Sequence, residues 1–399
     1  LLSFVADAPV VKLVNQILSE AVKARSSDIL IEPFEKKTRI RYRIDGILRP
    51  IQTFPSVLHT AVVSRFKVMS NLDIAEQRLP QDGRFQIEDG KKLVDFRISV
   101  LPSSFGEKVA LRILDRSAVV LDIESLGFTA KALADLKESI ERPHGMILIC
   151  GPTGSGKTTT LYSLLMLSSS PEDNVVTVED PIEYQIEGLN QVCARPDLGL
   201  TFASVLRSIL RQDPDTIMIG EVRDYETADI AIKSALTGHL LLTTLHATTA
   251  TGAIVRLMNM GVEPFLISAS VILTAAQRLV RRICPKCREP YTLDGAAALN
   301  AGFKKKEPLT LDRGRGCGSC SNTGYKGRVG LMETVVSTAE IRQLIASRAD
   351  EHSIREAAIK SGMVTLRDDG LAKVLTGATT LEEVLRVTAG EQDLATRLD

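Results

Sequence analysis

The stretch Gly151–Thr159, reading GPTGSGKTT, constrains this chain more than any other. It meets the pattern G-x-x-x-x-G-K-[ST] at Gly151, Gly156, Lys157 and Thr158, with Pro152, Thr153, Gly154 and Ser155 inside the loop and Thr159 just past it. The run before it, Gly145 to Cys150, reads as a buried strand. Thr159 to Leu167 lacks Gly and Pro and repeats apolar residues at Leu161, Leu164, Leu165 and Leu167, which predicts a helix. In that context glycines let successive N–H groups turn inward around a phosphate chain, and the helix N-terminus adds partial positive charge. Lys157 is expected to reach the β- and γ-phosphates, and Thr158 to place its hydroxyl on Mg²⁺. The competing reading is a Gly-rich turn with no ligand.

A chain of 399 residues is long enough for two or three domains, and 44% apolar with 25% charged residues is the balance of an ordinary globular protein. The formal net charge is zero, so nothing global favours nucleic acid or an acidic membrane surface. No apolar run is long enough to predict a spanning helix. The segment Pro264 to Val280 comes closest, but Ser268, Ser270, Thr274, Gln277 and Arg278 interrupt it, and it reads as a buried helix. The chain opens Leu-Leu-Ser without Met or a basic segment, so no signal peptide is expected and residue 1 reads as a truncation point or processing site. Cys150 and Cys193 read as inert core thiols in a reducing compartment.

Taken in order, Asp7 can cap a helix carrying Val10, Val14, Ile17, Leu18 and Ala21 at helical spacing. From Asp28 the period becomes two: Ile29 and Ile31, then Ile40, Tyr42 and Ile44 alternating with Arg39, Arg41 and Arg43, which predicts a solvated face on an edge strand. Ser56 to Asn71 reads as a second helix, and Pro80-Gln81-Asp82-Gly83 as a turn. Strands are predicted near Arg84 to Glu88 and Leu93 to Val100 around the turn Asp89-Gly90, and at Lys108 to Leu114. This is a compact α/β domain ending near Asp115. Within it, Arg97 and Arg112 point away from the apolar faces of their strands. A hairpin around Pro102 to Gly106 would bring both guanidinium groups to one sheet face. Two readings stand: convergence on a polyphosphate, or surface pairing with Asp95 or Glu107.

Arg116 to Gly127 reads as a linker, and Thr129 to Glu141 as a helix capped by Thr129. Asn174 to Val178, Thr216 to Gly220 and Leu240 to Leu245 are short β-rich runs separated by helical patterns at Phe202 to Arg211 and Thr227 to Leu236. Strands alternating with helices predict a largely parallel sheet covered on both faces. A strand at Arg328 to Val335 and helical stretches from Ala339 to Val387 follow, the latter read as packing or assembly surface.

Three clusters fall at the ends of these strands, where an open α/β sheet binds its ligands. VVTVEDPIEY places Glu179, Asp180 and Glu183 around Pro181, either as functional carboxylates or as a charged turn. TIMIGEVRD runs an apolar strand into Gly220-Glu221, and a carboxylate there can serve the Mg²⁺ shell or polarise the attacking water. TGHLLLTTLHATTA carries His239 and His246; His246 would lie beside the phosphate loop if its strand neighbours that of the loop, sensing the γ-phosphate or contacting a subunit. Phosphoryl transfer needs further positive charge, and Arg207, Arg211, Arg223 and Arg256 lie in or near these clusters, with Arg97 and Arg112 available from the smaller domain. Two Cys-x-x-Cys pairs, Cys284/Cys287 and Cys317/Cys320, make an S₄ set suited to structural Zn²⁺, with a redox dithiol as the rival reading.

With these motifs in this order the chain resembles the type II secretion and type IV pilus assembly ATPases, the GspE/PulE/PilB family. RLPQDGR, GPTGSGKTTTLY, VVTVEDPIEY, LRQDPDTIMIGEVRD, TGHLLLTTLHA and the tetracysteine insert carry the resemblance over nearly the whole chain. It implies an α/β fold with five parts: a small domain (1–115) closing over nucleotide, a linker (116–127), a RecA-like P-loop ATPase core (128–283), a zinc-binding insert (284–336) and a helical C-terminal region (337–399). It further implies ATP, Mg²⁺ and Zn²⁺ as ligands. A homo-hexamer is expected in the cytoplasm, peripheral to the inner membrane through platform proteins and without nucleic acid. Powering pseudopilus assembly and protein export is the implied work, with type IV pilus extension as the alternative and a zinc-ribbon nucleic-acid motor behind it. Carried over by motif, Lys157 and Thr158 bind phosphate and Mg²⁺, Glu179, Asp180 and Glu183 form the acidic box, His246 the histidine box, and Arg97 and Arg112 complete the site. Glu221 follows Gly220 where the usual second motif ends its strand in Asp, which leaves metal ligation and water activation both open.

Overall fold

The computed structural model describes residues 8–89, 92–114, 121–304 and 307–389. The Asp7 cap, Gly90 of the expected turn, residues 115–120 of the domain end and linker, and the last ten residues of the helical region lie outside them. The chain divides into two compact units, Leu1–Val119 and Val120–Asp399.

In the first unit, helix α1 (Ala8–Lys23) buries Val10, Val14, Ile17, Leu18 and Ala21, one residue every three or four, against a six-stranded antiparallel sheet. Helix α2 (His59–Met69) adds Val62, Val63 and Phe66 to the same core. The sheet contains β1 (Ser26–Pro33), β2 (Lys37–Ile44), β3 (Ile47–Pro55), β4 (Gln81–Asp89), β5 (Lys92–Ser103) and β6 (Gly106–Leu114), in the order β3-β2-β1-β6-β5-β4. Strand β2 is therefore internal and not the expected edge. The β3 run, interrupted by Pro50, showed no clean alternation, and it covers that side. Gln81-Asp82-Gly83 also differ from expectation: they open β4, paired with Val100, Ser99 and Ile98. Turn-favouring residues yielded there to ladder hydrogen bonds and to side-chain anchoring of Gln81 on the carbonyls of Asp73 and Glu76.

The second unit is built on a seven-stranded sheet. Its strands are β7 (Gly145–Cys150), β8 (Val175–Glu179), β9 (Asn190–Cys193), β10 (Thr216–Ile219), β11 (Leu240–Leu245), β12 (Val271–Ile283) and β15 (Tyr325–Val336), in the order β15-β12-β7-β11-β10-β8-β9. All pairs are parallel except β12 with β15. Every residue of β7, β8, β10 and β11 is buried, as a sheet covered on both faces requires. One face carries α3 (Ala130–Ile140) and α4 (Lys157–Ser168). The other carries α5 (Phe202–Ile209), α6 (Tyr225–Leu236), α7 (Ala250–Asn259) and α8 (Pro264–Ser270). Thr129 caps α3, accepting from the Ala132 N–H.

Three boundaries depart from the sequence reading. Pro264 to Val280 is not one helix: α8 ends at Ser270 and β12 begins at Val271. A short apolar run fits either period, and the β-branched Val271, Ile272 and Thr274 went to the sheet, between β7 and β15. Leu121 to Gly127 belongs to the second unit, with Ile123 buried in its core. The tetracysteine insert consists of the hairpin β13 (Arg288–Leu293) and β14 (Leu309–Gly314) with α9 (Gly295–Asn300) between them; it closes before Tyr325, where β15 rejoins the large sheet. The C-terminal helices α10 (Ala339–Ala346), α11 (Glu351–Lys360), α12 (Leu366–Leu375) and α13 (Leu381–Thr388) pack on that sheet and on the insert.

Candidate functional site

The phosphate loop lies between β7 and α4, with Gly151, Gly154 and Gly156 at φ of 148°, 78° and 91°. These left-handed angles are open to glycine and strained for other residues. Space demands glycine too, because a Cβ on Gly151 would lie 2.5 Å from the Gln277 carbonyl, and one on Gly156 2.9 Å from Gln277 Nε2. The loop therefore rests on β12, and Thr160 Oγ1 donates to Gln277 Oε1 at 2.9 Å. Pro152, Thr153 and Gly154 are exposed at the loop tip, while Ser155 is buried with no partner for its hydroxyl. Lys157, first in α4, donates to the carbonyls of Gly151 and Pro152 at 2.9 and 3.1 Å. Burial lowers its pKa, partly offset by Cys150 and Glu221. A glycine cradle at a helix N-terminus, an orphaned hydroxyl and a lysine folded over the loop suit a polyphosphate with its divalent cation.

The parallel edge brings the other clusters to this loop. Strand β11 pairs directly with β7, Leu245 opposite Cys150, so His246 emerges beside the loop. Strand β10 lies next, and Glu221 follows its end. Glu221 stands between two basic side chains: Arg223 hydrogen-bonds one oxygen, and His246 Nε2 lies 3.2 Å from the other. Its carboxyl is held below the ordinary range chiefly by Arg223, against the opposing effect of burial and with help from His246. Asp180 also acts electrostatically on Arg223. Glu221 also acts on Lys157 across the edge, against the effect of burial.

Glu179, at the end of β8, faces inward. It is 3% exposed and accepts from Tyr162 on α4, from Thr177 Oγ1 at 2.7 Å and from Gln191 Nε2 at 3.1 Å. Its carboxylate ties the phosphate-loop helix to the sheet. Glu183 is half-buried in the following loop, after the cis Asp180–Pro181 bond. His239 turns its Nδ1 toward the Ser234 carbonyl at 3.0 Å, at the opposite end of β11. Arg207 pairs with Glu226, and Arg211 donates to the Arg207 carbonyl.

Two residues at the loop escaped the sequence reading. Gln277 supports it from behind, and Arg278 donates to the Gln277 and Thr248 carbonyls at 3.0 and 2.7 Å while acting on Lys157. Both lie in the run expected to be a helix, where the β-branched Val271, Ile272 and Thr274 were the available sign of a strand.

In the first unit Arg97 and Arg112 are directly opposite on β5 and β6, and Arg84 on β4 is opposite Arg97. This forms an arginine row on the face away from the core. Arg112 lies 3.5 Å from Asp28, and Glu107 is taken by buried Lys67 at 2.6 Å, so neither acid expected from sequence supplies the ion pair of Arg112.

The four cysteine sulfurs converge within 4.8 Å of one another. Cys284 to Cys317, Cys287 to Cys320 and Cys317 to Cys320 measure 3.9, 3.8 and 3.7 Å. A tetrahedron with Zn–S bonds of about 2.3 Å has edges of about 3.8 Å. The N–H groups of Cys317 and Gly324 point at Cys320 Sγ from 3.2 and 3.3 Å, an arrangement that favours thiolate. The cluster can hold zinc.

A glycine cradle, its lysine and an acidic residue after another strand of the same parallel edge define a P-loop nucleotide hydrolase. Residues 4–386 match the family model described as "Type II/IV secretion system protein". Over 390 residues the chain is 51% identical to the type IV pilus assembly ATPase PilB of Myxococcus xanthus, covering 97% of this chain and 69% of that one. It is likewise 51% identical over 382 residues to the type II secretion system ATPase E of Vibrio cholerae, covering 96% and 76%. The crystal structure of the pilus retraction motor PilT with bound ADP superposes with a TM-score of 0.63 at 26% identity, covering 95% and 98%. The chain belongs to the type II/IV secretion system family, and it is an ATPase. Among the described residues no helix is long and apolar enough to cross a membrane.

Proposed function

We propose that this chain hydrolyses ATP at the Gly151–Thr159 loop to drive pseudopilus assembly and protein export in type II secretion. Extension of a type IV pilus is the second reading, favoured by equal identity to a pilus assembly ATPase. The observation that carries the reading is Lys157, in the loop after β7, and Glu221, after β10, on either side of β11 at one parallel edge, with the Glu221 carboxylate acting on Lys157.

In this mechanism the N–H groups from Gly154 to Thr159 and the Lys157 ammonium hold the triphosphate, leaving its carbonyl partners at Gly151 and Pro152. Thr158 holds Mg²⁺, which neutralises the phosphate oxygens when bound. Glu221, kept ionised by Arg223 and His246, orients the attacking water and takes its proton. Glu179 holds α4 in register through Tyr162, and Glu183 shapes the rim. Arg97 and Arg112 supply charge to the equatorial oxygens from the small domain, in this or a neighbouring chain of a homo-hexamer. The working place is the cytoplasmic side of the inner membrane, reached through platform proteins, with Zn²⁺ as a structural ion in the Cys284, Cys287, Cys317 and Cys320 cluster.

Phosphate release tests the reading. Lys157→Ala is expected to abolish it, and Glu221→Gln to lower kcat by about a hundredfold or more while retaining ATP binding. Unchanged hydrolysis in Lys157→Ala would overturn the proposal. Rescue of a strain lacking its type II secretion ATPase, set against one lacking its pilus extension ATPase, separates the two clients.

A further inference from the structure

The turn Thr248–Thr251, which joins His246 to α7, is held by side chains from four other elements. Arg278 on β12 donates to the Thr248 carbonyl at 2.7 Å. Cys150, ending β7, donates to the Thr249 carbonyl at 3.2 Å. Glu333 on β15 is fully buried; it accepts from the Ala250 N–H at 2.7 Å and from the Leu366 N–H, at the start of α12, at 3.4 Å. One oxygen of Glu351, first residue of α11, accepts from both Thr249 Oγ1 and Thr251 Oγ1, at 2.6 and 3.1 Å. The packing leaves no slack, since a Cβ on Gly252 would come within 2.6 Å of Thr249 Oγ1 and 3.1 Å of Glu351 Oε1.

Capping α7 needs only Thr249, whose hydroxyl accepts from the Gly252 N–H at 3.0 Å. The remaining tethers fix where the turn lies. His246 depends on that, because its side chain is 60% exposed and has little packing of its own. The position of its ring against Glu221 is inherited from β11 on one side and from this turn on the other.

We propose that Glu351 is a positioning residue for the His246–Glu221 pair, and that through it α11 of the C-terminal helices bears on hydrolysis. The proposal rests on the ATPase reading above. It gives the helical region a part in turnover that its lack of catalytic groups would not suggest.

Steady-state ATP hydrolysis with a double-mutant cycle tests it. Glu351→Ala is expected to lower kcat about tenfold with KM for ATP within about twofold, because misplacement costs rate before it costs binding. Glu351→Gln should restore most of the rate, its amide oxygen accepting both hydroxyls. Thr251→Val, which removes one hydroxyl at nearly constant volume, should give a smaller loss of the same kind and serves if Glu351→Ala folds poorly. In a His246→Ala background Glu351→Ala should add nothing further. Wild-type kcat in Glu351→Ala and Thr251→Val would overturn the proposal, as would losses that multiply in the double variant or a fully active His246→Ala. Hydrolysis surviving in Lys157→Ala would instead reject the ATPase reading itself, whereas a dead Lys157→Ala beside a normal Glu351→Ala rejects the positioning role alone.

Discussion

Arg223 and His246 grip Glu221 from two sides, and the consequence is a dependence on pH with a definite sign. The carboxyl titrates below its ordinary 4.5, mainly through the Arg223 hydrogen bond. A depressed carboxylate pKa contributes stability that is complete above the unfolded value and lost as pH falls through the folded one. The same shift keeps Glu221 ionised, and able to accept a proton, further into acid than a free glutamate would be. Replacing Arg223 by Gln removes the largest cause, so the acid limb of the kcat profile is expected to move to higher pH. Profiles of wild type and Arg223→Gln at saturating ATP check this; coincident limbs would separate Glu221 from the titration that limits turnover. At this scale the sequence exposed residues whose chemistry follows from position alone. Glu221 follows an apolar strand, and Lys157 sits in a fixed motif. Gln277 and Arg278 stayed hidden because their importance comes from a strand neighbour more than a hundred positions away in the chain.

The tetracysteine insert ties chemistry to packing across several elements. Its hairpin buries Ala298, Phe303 and Leu311 against Leu371, Val374 and Val384 of α12 and α13. Helix α13 is also held to β12 by Glu383, which is fully buried and accepts from Arg281 and Arg386 at 2.7 Å. Burial alone would raise the Glu383 pKa, but the two arginine hydrogen bonds outweigh it and bring it to about 2. The insert has a small core of its own, and the proposed zinc at its four cysteines would add to its order. Purified protein is expected to carry one zinc per chain. Cys317→Ser should lose it and lower the Tm by about 5 °C, the shift that follows from losing about 2 kcal/mol in a domain of this size. Elemental analysis with thermal melting checks this, and a zinc-free wild type of unchanged Tm would refute it. The pair of Cys-x-x-Cys knuckles was legible because ligand spacing is local. The end of the insert was not, since only pairing with β12 shows that Tyr325 to Val336 belongs to the large sheet.

For the whole molecule the question is where the remaining positive charge for phosphoryl transfer comes from. In the second unit Arg223 is engaged with Glu221 and Arg207 with Glu226, while Lys157 and Arg278 at the loop each donate to two carbonyls. The first unit offers the aligned row of Arg84, Arg97 and Arg112 on the face opposite its core. Alternation showed that Arg97 and Arg112 leave the apolar face, but only strand register shows that they are cross-strand neighbours. A transition state with charge spread over three oxygens rewards such a pair, and the proposed homo-hexamer is the assembly in which it would serve. If the proposed homo-hexamer is the working form, turnover per chain is expected to fall on dilution as it dissociates. If Arg112 serves the γ-phosphate group as proposed, Arg112→Ala should lower kcat about a hundredfold at any concentration while leaving ADP affinity nearly unchanged. Sedimentation alongside hydrolysis over a dilution series checks both. A monomer with undiminished turnover would remove the ring from the mechanism, and an Arg112→Ala enzyme of normal kcat would return the arginine row to the surface pairing that Asp28 already offers it.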